Sequence, residues 1–183
     1  MKSSLRYSPT RMGRRLALLL PLAIAACAEA PPATAPLDLE NAAALDRAPA
    51  ADHATDPLLR ALRQATSRFH STTLAVRTGY QPDDHCVPNM GFHWVDPSLV
   101  DPVFDPVRPE VMLYAPGPGG NLQLVAVEYI VLDVGQPRPS FGGRLFDVGG
   151  TPVPVPHWSQ HVWLYQDNPD GMLTAFNPVV SCP

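Results

Sequence analysis

Residues 80–109 carry prolines at 82, 88, 97, 102, 106 and 109. Proline lacks a backbone N–H and has a locked φ, so this density excludes long helices and central strands there. The pairs Asp96-Pro97, Asp101-Pro102 and Asp105-Pro106 each predict a turn. Yet Phe92, Trp94, Val95, Leu99, Val100, Val103 and Phe104 are apolar. The segment therefore reads as an ordered loop packed onto the rest of the domain. Residues 135–157 return to Gly and Pro. Regular structure is confined to the stretches between these regions.

The first such stretch predicts a helix. Asp56 is a suitable cap and Pro57 suits the first turn. Leu58, Leu62, Ala65, Phe69, Thr73 and Val76 recur at helical spacing, and Gly79 is a fitting stop. A hairpin follows: Val111 to Tyr114, a turn through Pro116–Asn121, then Leu122 to Leu132, the longest strand candidate. Both faces of that strand are largely apolar, which predicts a central position. His161 to Tyr165 predicts one more strand, with His161, Trp163 and Tyr165 on one face. The fold class is α+β: one N-terminal amphipathic helix, then a small antiparallel sheet with long Pro-rich loops.

The N-terminus predicts export. Lys2, Arg6, Arg11, Arg14 and Arg15 precede an apolar run ending at Ile24-Ala25-Ala26-Cys27. That run has the length of a signal segment and is too short to span a bilayer of roughly 30 Å. Its ending is similar to a lipobox, which makes Cys27 the lipidated residue. Residues 1–26 are then a signal peptide, and 27–55 form the lipidated cysteine with an Ala/Pro-rich linker. Residues 56–183 form a single globular domain. Ala28 is not an aspartate, which favours the outer membrane in a Gram-negative host.

Without its first 26 residues the chain keeps eight arginines, no lysine and seventeen acids, a formal charge of −9. Such a surface argues against nucleic acid as a partner. Membrane attachment then rests on the lipid anchor, and a small ligand or an envelope protein is the partner left to consider. With Cys27 assigned to lipid, Cys86 and Cys182 remain, and an oxidising compartment favours a disulfide between them over a pair of metal-binding thiolates.

Glu128 is the one charge within Leu122–Leu132. A buried carboxylate must be paired, protonated or metal-bound. An ion pair with Arg144 or Arg68 is one resolution. The histidines offer another. His70 lies on the helix edge, His93 among aromatics, and His161 at the start of a strand, whereas His85 and His157 read as exposed. Together, His70, His93, Glu128 and His161 make an N3O donor set for a divalent transition metal. Trp94 and Trp163 would wall the pocket. The competing reading is a structural polar network.

The segments Arg68-Phe69-His70, Met90-Gly91-Phe92-His93, Val125-Ala126-Val127-Glu128-Tyr129, His161-Val162-Trp163-Leu164 and Asn177 to Pro183 resemble those of a family of exported bacterial proteins with no assigned activity. The resemblance implies that His70, His93, Glu128 and His161 belong together. It implies no reaction, so whether the chain is an enzyme stays open. Two functions follow as expectations. One is a lipid-anchored envelope protein binding a metal or small ligand. The other is a non-catalytic interaction protein whose His and Glu side chains hold a loop to the sheet.

Overall fold

The computed structural model describes residues 56–150 and 153–183. The expected signal peptide, Cys27 and the linker lie outside the described residues. Within them no helix is long and apolar enough to cross a membrane.

The class is α+β, and the expected single helix is two. α1 spans Pro57–Thr66, a 3-10 turn spans Ser67–His70, and α2 spans Thr72–Thr78. Asp56 caps α1 as expected, its Oδ1 accepting from Leu58 N and Leu59 N at 2.7 and 3.1 Å. Ser71 then restarts the chain, accepting from Leu74 N with its own hydroxyl. The tighter turn before it shifts the helical phase. Leu59, Leu62, Thr66, Phe69 and Ala75 are buried, while Thr73 and Val76, two members of the expected stripe, are exposed. A 3-10 turn advances three residues where an α-helix advances 3.6, so an apolar stripe counted across it drifts off the core.

Six strands form one antiparallel sheet: β1 Cys86–Val87, β2 Gly91–Val95, β3 Val111–Pro116, β4 Leu122–Leu132, β7 Asp147–Val148 and β8 His157–Val162. Their order is β1-β2-β3-β4-β8-β7, which makes β4 interior as predicted. A separate hairpin joins β5 Ser140–Phe141 to β6 Arg144–Leu145. The exclusion of inner strands from residues 80–109 fails at β2, which pairs with both β1 and β3. Its five residues fit between Pro88 and Pro97, so no proline interrupts the ladder. The expectation for residues 161–165 also shifts. The strand begins at His157 and ends at Val162, so alternation does not carry through to Tyr165.

The sheet has two buried faces. Leu59, Leu62, Phe69 and Ala75 of the helices pack on Met112, Tyr114, Leu124, Val127, Tyr129 and Val131. Tyr114 donates its hydroxyl to Phe69 O at 2.7 Å, tying the 3-10 turn to β3. The second face carries Val111, Leu113, Ala115, Val125, Ala126, Ile130, Trp163 and Val180, with Met90, Val100 and Val153 packed against it. A bulge between Leu113 and Tyr114 leaves Val125 as the extra residue on β4. Strict alternation puts Leu124 with Ala126, Glu128 and Ile130. The bulge moves Leu124 to the helix-side face and Val125 to the other.

Cys86 and Cys182 form the expected disulfide, with Cα atoms 5.8 Å apart across a sequence separation of 96. It fastens the C-terminal segment to β1. Asn177 N donates to Asn89 O at 2.8 Å beside it, and Val180 is buried on the second face.

Candidate metal centre

Strand register assembles the site. Glu128 pairs with Val111 on one side and His161 on the other. Directly opposed side chains share a face, so β4 and β8 bring Glu128 and His161 together. His93 lies on β2, opposite Leu113, which is itself opposite Ala126. It therefore shares the second face with Glu128, two strands away. Strands lie about 4.8 Å apart, so the two backbones are separated by about 10 Å. The long side chains lean across β3 to meet.

His93 Nε2 lies 3.8 Å from Glu128 Oε2, and His161 Nε2 lies 3.8 Å from the same oxygen. The three residues are 5%, 2% and 4% exposed, in the order His93, Glu128, His161. Neither contact is a hydrogen bond, because 3.8 Å is too long. Glu128 Oε2 and His161 Nε2 are buried with no hydrogen-bond partner. His93 is hydrogen-bonded to the Gly91 backbone, which raises its affinity for a proton.

Burial decides the charges. Desolvation pushes Glu128 up to about 8, and the charge of Glu110 adds to that rise. Burial lowers His93 to about 4 against the opposing Gly91 contact, and lowers His161 to about 3 with help from His93 and Arg144. In the metal-free protein at neutral pH the carboxyl is protonated and both rings are neutral. The short His–Glu separations are then not ion pairs. They are two imidazole nitrogens and a carboxyl oxygen facing one point.

One donor atom from each residue lies within 4.8 Å of the other two. A common centre is then no more than about 2.8 Å from each (4.8/√3). Metal–nitrogen and metal–oxygen bonds are about 2.0–2.2 Å, so side-chain shifts of roughly half an ångström would complete the coordination. Among the described residues, His93, Glu128 and His161 are the group with such spacing.

His70, the fourth residue of the predicted set, is not part of it. The 3-10 turn leaves it exposed on the helix side of the sheet, with its ring against Tyr165 at 4.6 Å. Trp94 is not a pocket wall either. It neighbours His93 along β2, so the pleat points it to the helix-side face, where it packs on Tyr114. Trp163 does belong to the second face and stacks on the His161 ring at 6.4 Å. Neither arginine partners Glu128. Arg144 bonds Gln160, Leu173 O and Asp147, and Arg68 lies over the Phe69 ring.

Two buried ionisable residues escaped the sequence reading. His157 is buried rather than exposed, its Nδ1 at 2.7 Å from Val155 O and its Nε2 unpartnered. Glu110 is buried too, its carboxylate accepting from Ile130 N at 2.9 Å, and burial raises it to about 8. An acid flanked by Pro109 and Val111, directly ahead of an apolar strand, was the available signal for Glu110.

A scan against protein-family models, a search of curated proteins and a search of solved structures each found no match.

Proposed function

We propose that this chain is an envelope lipoprotein whose domain binds a divalent transition metal through His93, Glu128 and His161. One observation carries the reading: three buried donor atoms converge on one point, and no hydrogen-bond donor of the protein serves two of them. A structural polar network would close its hydrogen bonds, because buried polar groups left unmade are costly. The 3.8 Å separations leave these unclosed. A cation satisfies all three at once. Two imidazoles and a carboxylate suit zinc, iron, manganese or copper.

Three protein ligands leave at least one coordination position for water or a small ligand. A metal-bound water with a lowered pKa supports hydrolytic chemistry. The Trp163 ring and the apolar second face would limit that position to a small molecule. Cys27 would carry the lipid anchor, and Ala28 favours the outer membrane of a Gram-negative host. Intact-mass measurement of the processed N-terminus checks that part separately.

The deciding experiment is elemental analysis by mass spectrometry on the full chain exported to the periplasm. The expected result is a near-stoichiometric metal that is lost in Glu128→Ala and His161→Ala and kept in His70→Ala. No metal after exposure to zinc, copper, manganese and iron would overturn the proposal.

A further inference from the structure

The opposite side of the sheet holds a second feature, independent of the metal reading. A groove of about 420 Å³ opens between the helices and the Pro-rich loop. That volume lies within the range of small-molecule pockets. Its floor is apolar, formed by Phe69, Tyr80 and Leu99, and its charged lining consists of Arg68, Arg108 and Asp96.

These charges do not neutralise one another. No ion pair joins either arginine to Asp96 within 4.0 Å among the described residues. Among the described residues Arg108 makes no side-chain hydrogen bond, and the Arg68 guanidinium lies over the Phe69 ring at 4.7 Å. Asp96 is only 6% exposed. Its Oδ1 accepts from Ser98 N and Ser98 Oγ at 3.0 and 2.7 Å, while Oδ2 has no hydrogen-bond partner among the described residues. Gly79, having no Cβ, lets the Asp96 carboxylate pack close against its backbone. A Cβ at Gly79, whose φ is +122°, would sit 2.5 Å from Asp96 Oδ2.

A purely anionic ligand would meet Asp96, and a purely cationic one would meet two arginines. A molecule bearing both charges satisfies both ends. We propose that this groove binds a small zwitterion of the amino-acid type. Its ammonium would lie at the Asp96 carboxylate, its carboxylate at Arg68 and Arg108, and its side chain on the apolar floor. Paired charge-assisted contacts on a preformed surface give such a site its selectivity.

The test is calorimetric titration of the full chain with a panel of free L-amino acids, with acetate and methylammonium as single-charge probes. The expected result is saturable binding of at least one amino acid, with both single-charge probes at least about tenfold weaker. Arg108→Gln should weaken binding by about tenfold or more without altering the fold, since its side chain makes no ion pair or hydrogen bond among the described residues. Asp96→Asn should weaken it similarly, while its amide oxygen can still accept from Ser98. No binding by any amino acid at millimolar concentration overturns the proposal. So does acetate binding as tightly as the amino acids, or Arg108→Gln binding unchanged. Glu128→Ala should leave this binding intact, so the groove and the metal site stand or fall separately.

Discussion

Replacing Glu128 by glutamine removes a titration while keeping the shape. In the metal-free protein the wild-type carboxyl has its pKa raised from 4.5 to about 8 by burial. Between those values the native state holds a proton that the unfolded chain has released, so stability falls as pH rises. Each unit of separation corresponds to about 1.4 kcal/mol, which makes the loss between pH 5 and pH 8 roughly 3 to 4 kcal/mol. Glutamine does not ionise and should escape this loss. The Glu110 contribution is common to both proteins and cancels in the difference. The assay is urea unfolding followed by tryptophan fluorescence at pH 5, 6, 7 and 8, with chelator present and the slope of the transition checked for constancy. The glutamine variant should be close to wild type at pH 5 and progressively more stable toward pH 8. Zinc should reverse the order at pH 8, because a metal at about 1,000 times its Kd stabilises the wild type by about 4 kcal/mol and the amide binds it less well. Parallel pH profiles for the two proteins would refute the assignment of Glu128 as a buried, desolvated acid.

The wild-type protein without metal should also lose stability on the acid side. His93 and His161 have folded values of about 4 and about 3 against 6.5 unfolded, so their contribution is present above 6.5 and drains away as pH falls toward 3. With Glu110 and Glu128 acting in the opposite sense, unfolding by denaturant should show greatest stability near pH 4.5–6.5 and decline on both sides. Gly91→Ala should damage both fold and metal site. Its φ is +96° and a Cβ there would lie 2.3 Å from Tyr114 O, so the His93 strand must shift; a melting temperature and metal stoichiometry equal to wild type would contradict this. Reduction of Cys86–Cys182 releases a loop whose sequence separation is 96, and the chain-entropy estimate for such a loop is at most about 4.7 kcal/mol. Urea unfolding with and without reductant measures it.

Much of the site was legible because β-sheets translate sequence directly into faces. A single acid in an eleven-residue apolar run had to be an exception, and Glu128 was. His161 followed once β4 and β8 paired in register. His93 was visible as a histidine among aromatics, but its partner depended on β2 lying two strands from β4, which no local pattern encodes. His70 failed for a different reason. Its placement assumed an unbroken helix, and Ser71 breaks it by offering its hydroxyl to Leu74 N. Trp94 lies off the site because a strand sends neighbouring side chains to opposite faces, and His93 takes the other one. The bulge at Val125 was equally hidden, since the residues around it alternate plausibly in either phase.

The two faces of the sheet make different demands on the residues that line them. The helix-side face is closed by apolar packing, and its tyrosine hydroxyls all reach carbonyls or a threonine: Tyr80 to Pro109 O, Tyr114 to Phe69 O, Tyr129 to Pro106 O and Tyr165 to Thr66. Each of these hydroxyls ties one segment to another. On the second face Glu128 Oε2 and His161 Nε2 have no hydrogen-bond partner among the described residues. A valine or leucine at position 128, like its neighbours Val127 and Ile130, would satisfy the fold without the desolvation that raises the carboxyl to about 8. The packing around Glu128 therefore does not call for a carboxyl. On the proposed reading, a cation that replaces the lost hydration would give the reason for one, since it would answer to all three donor atoms together.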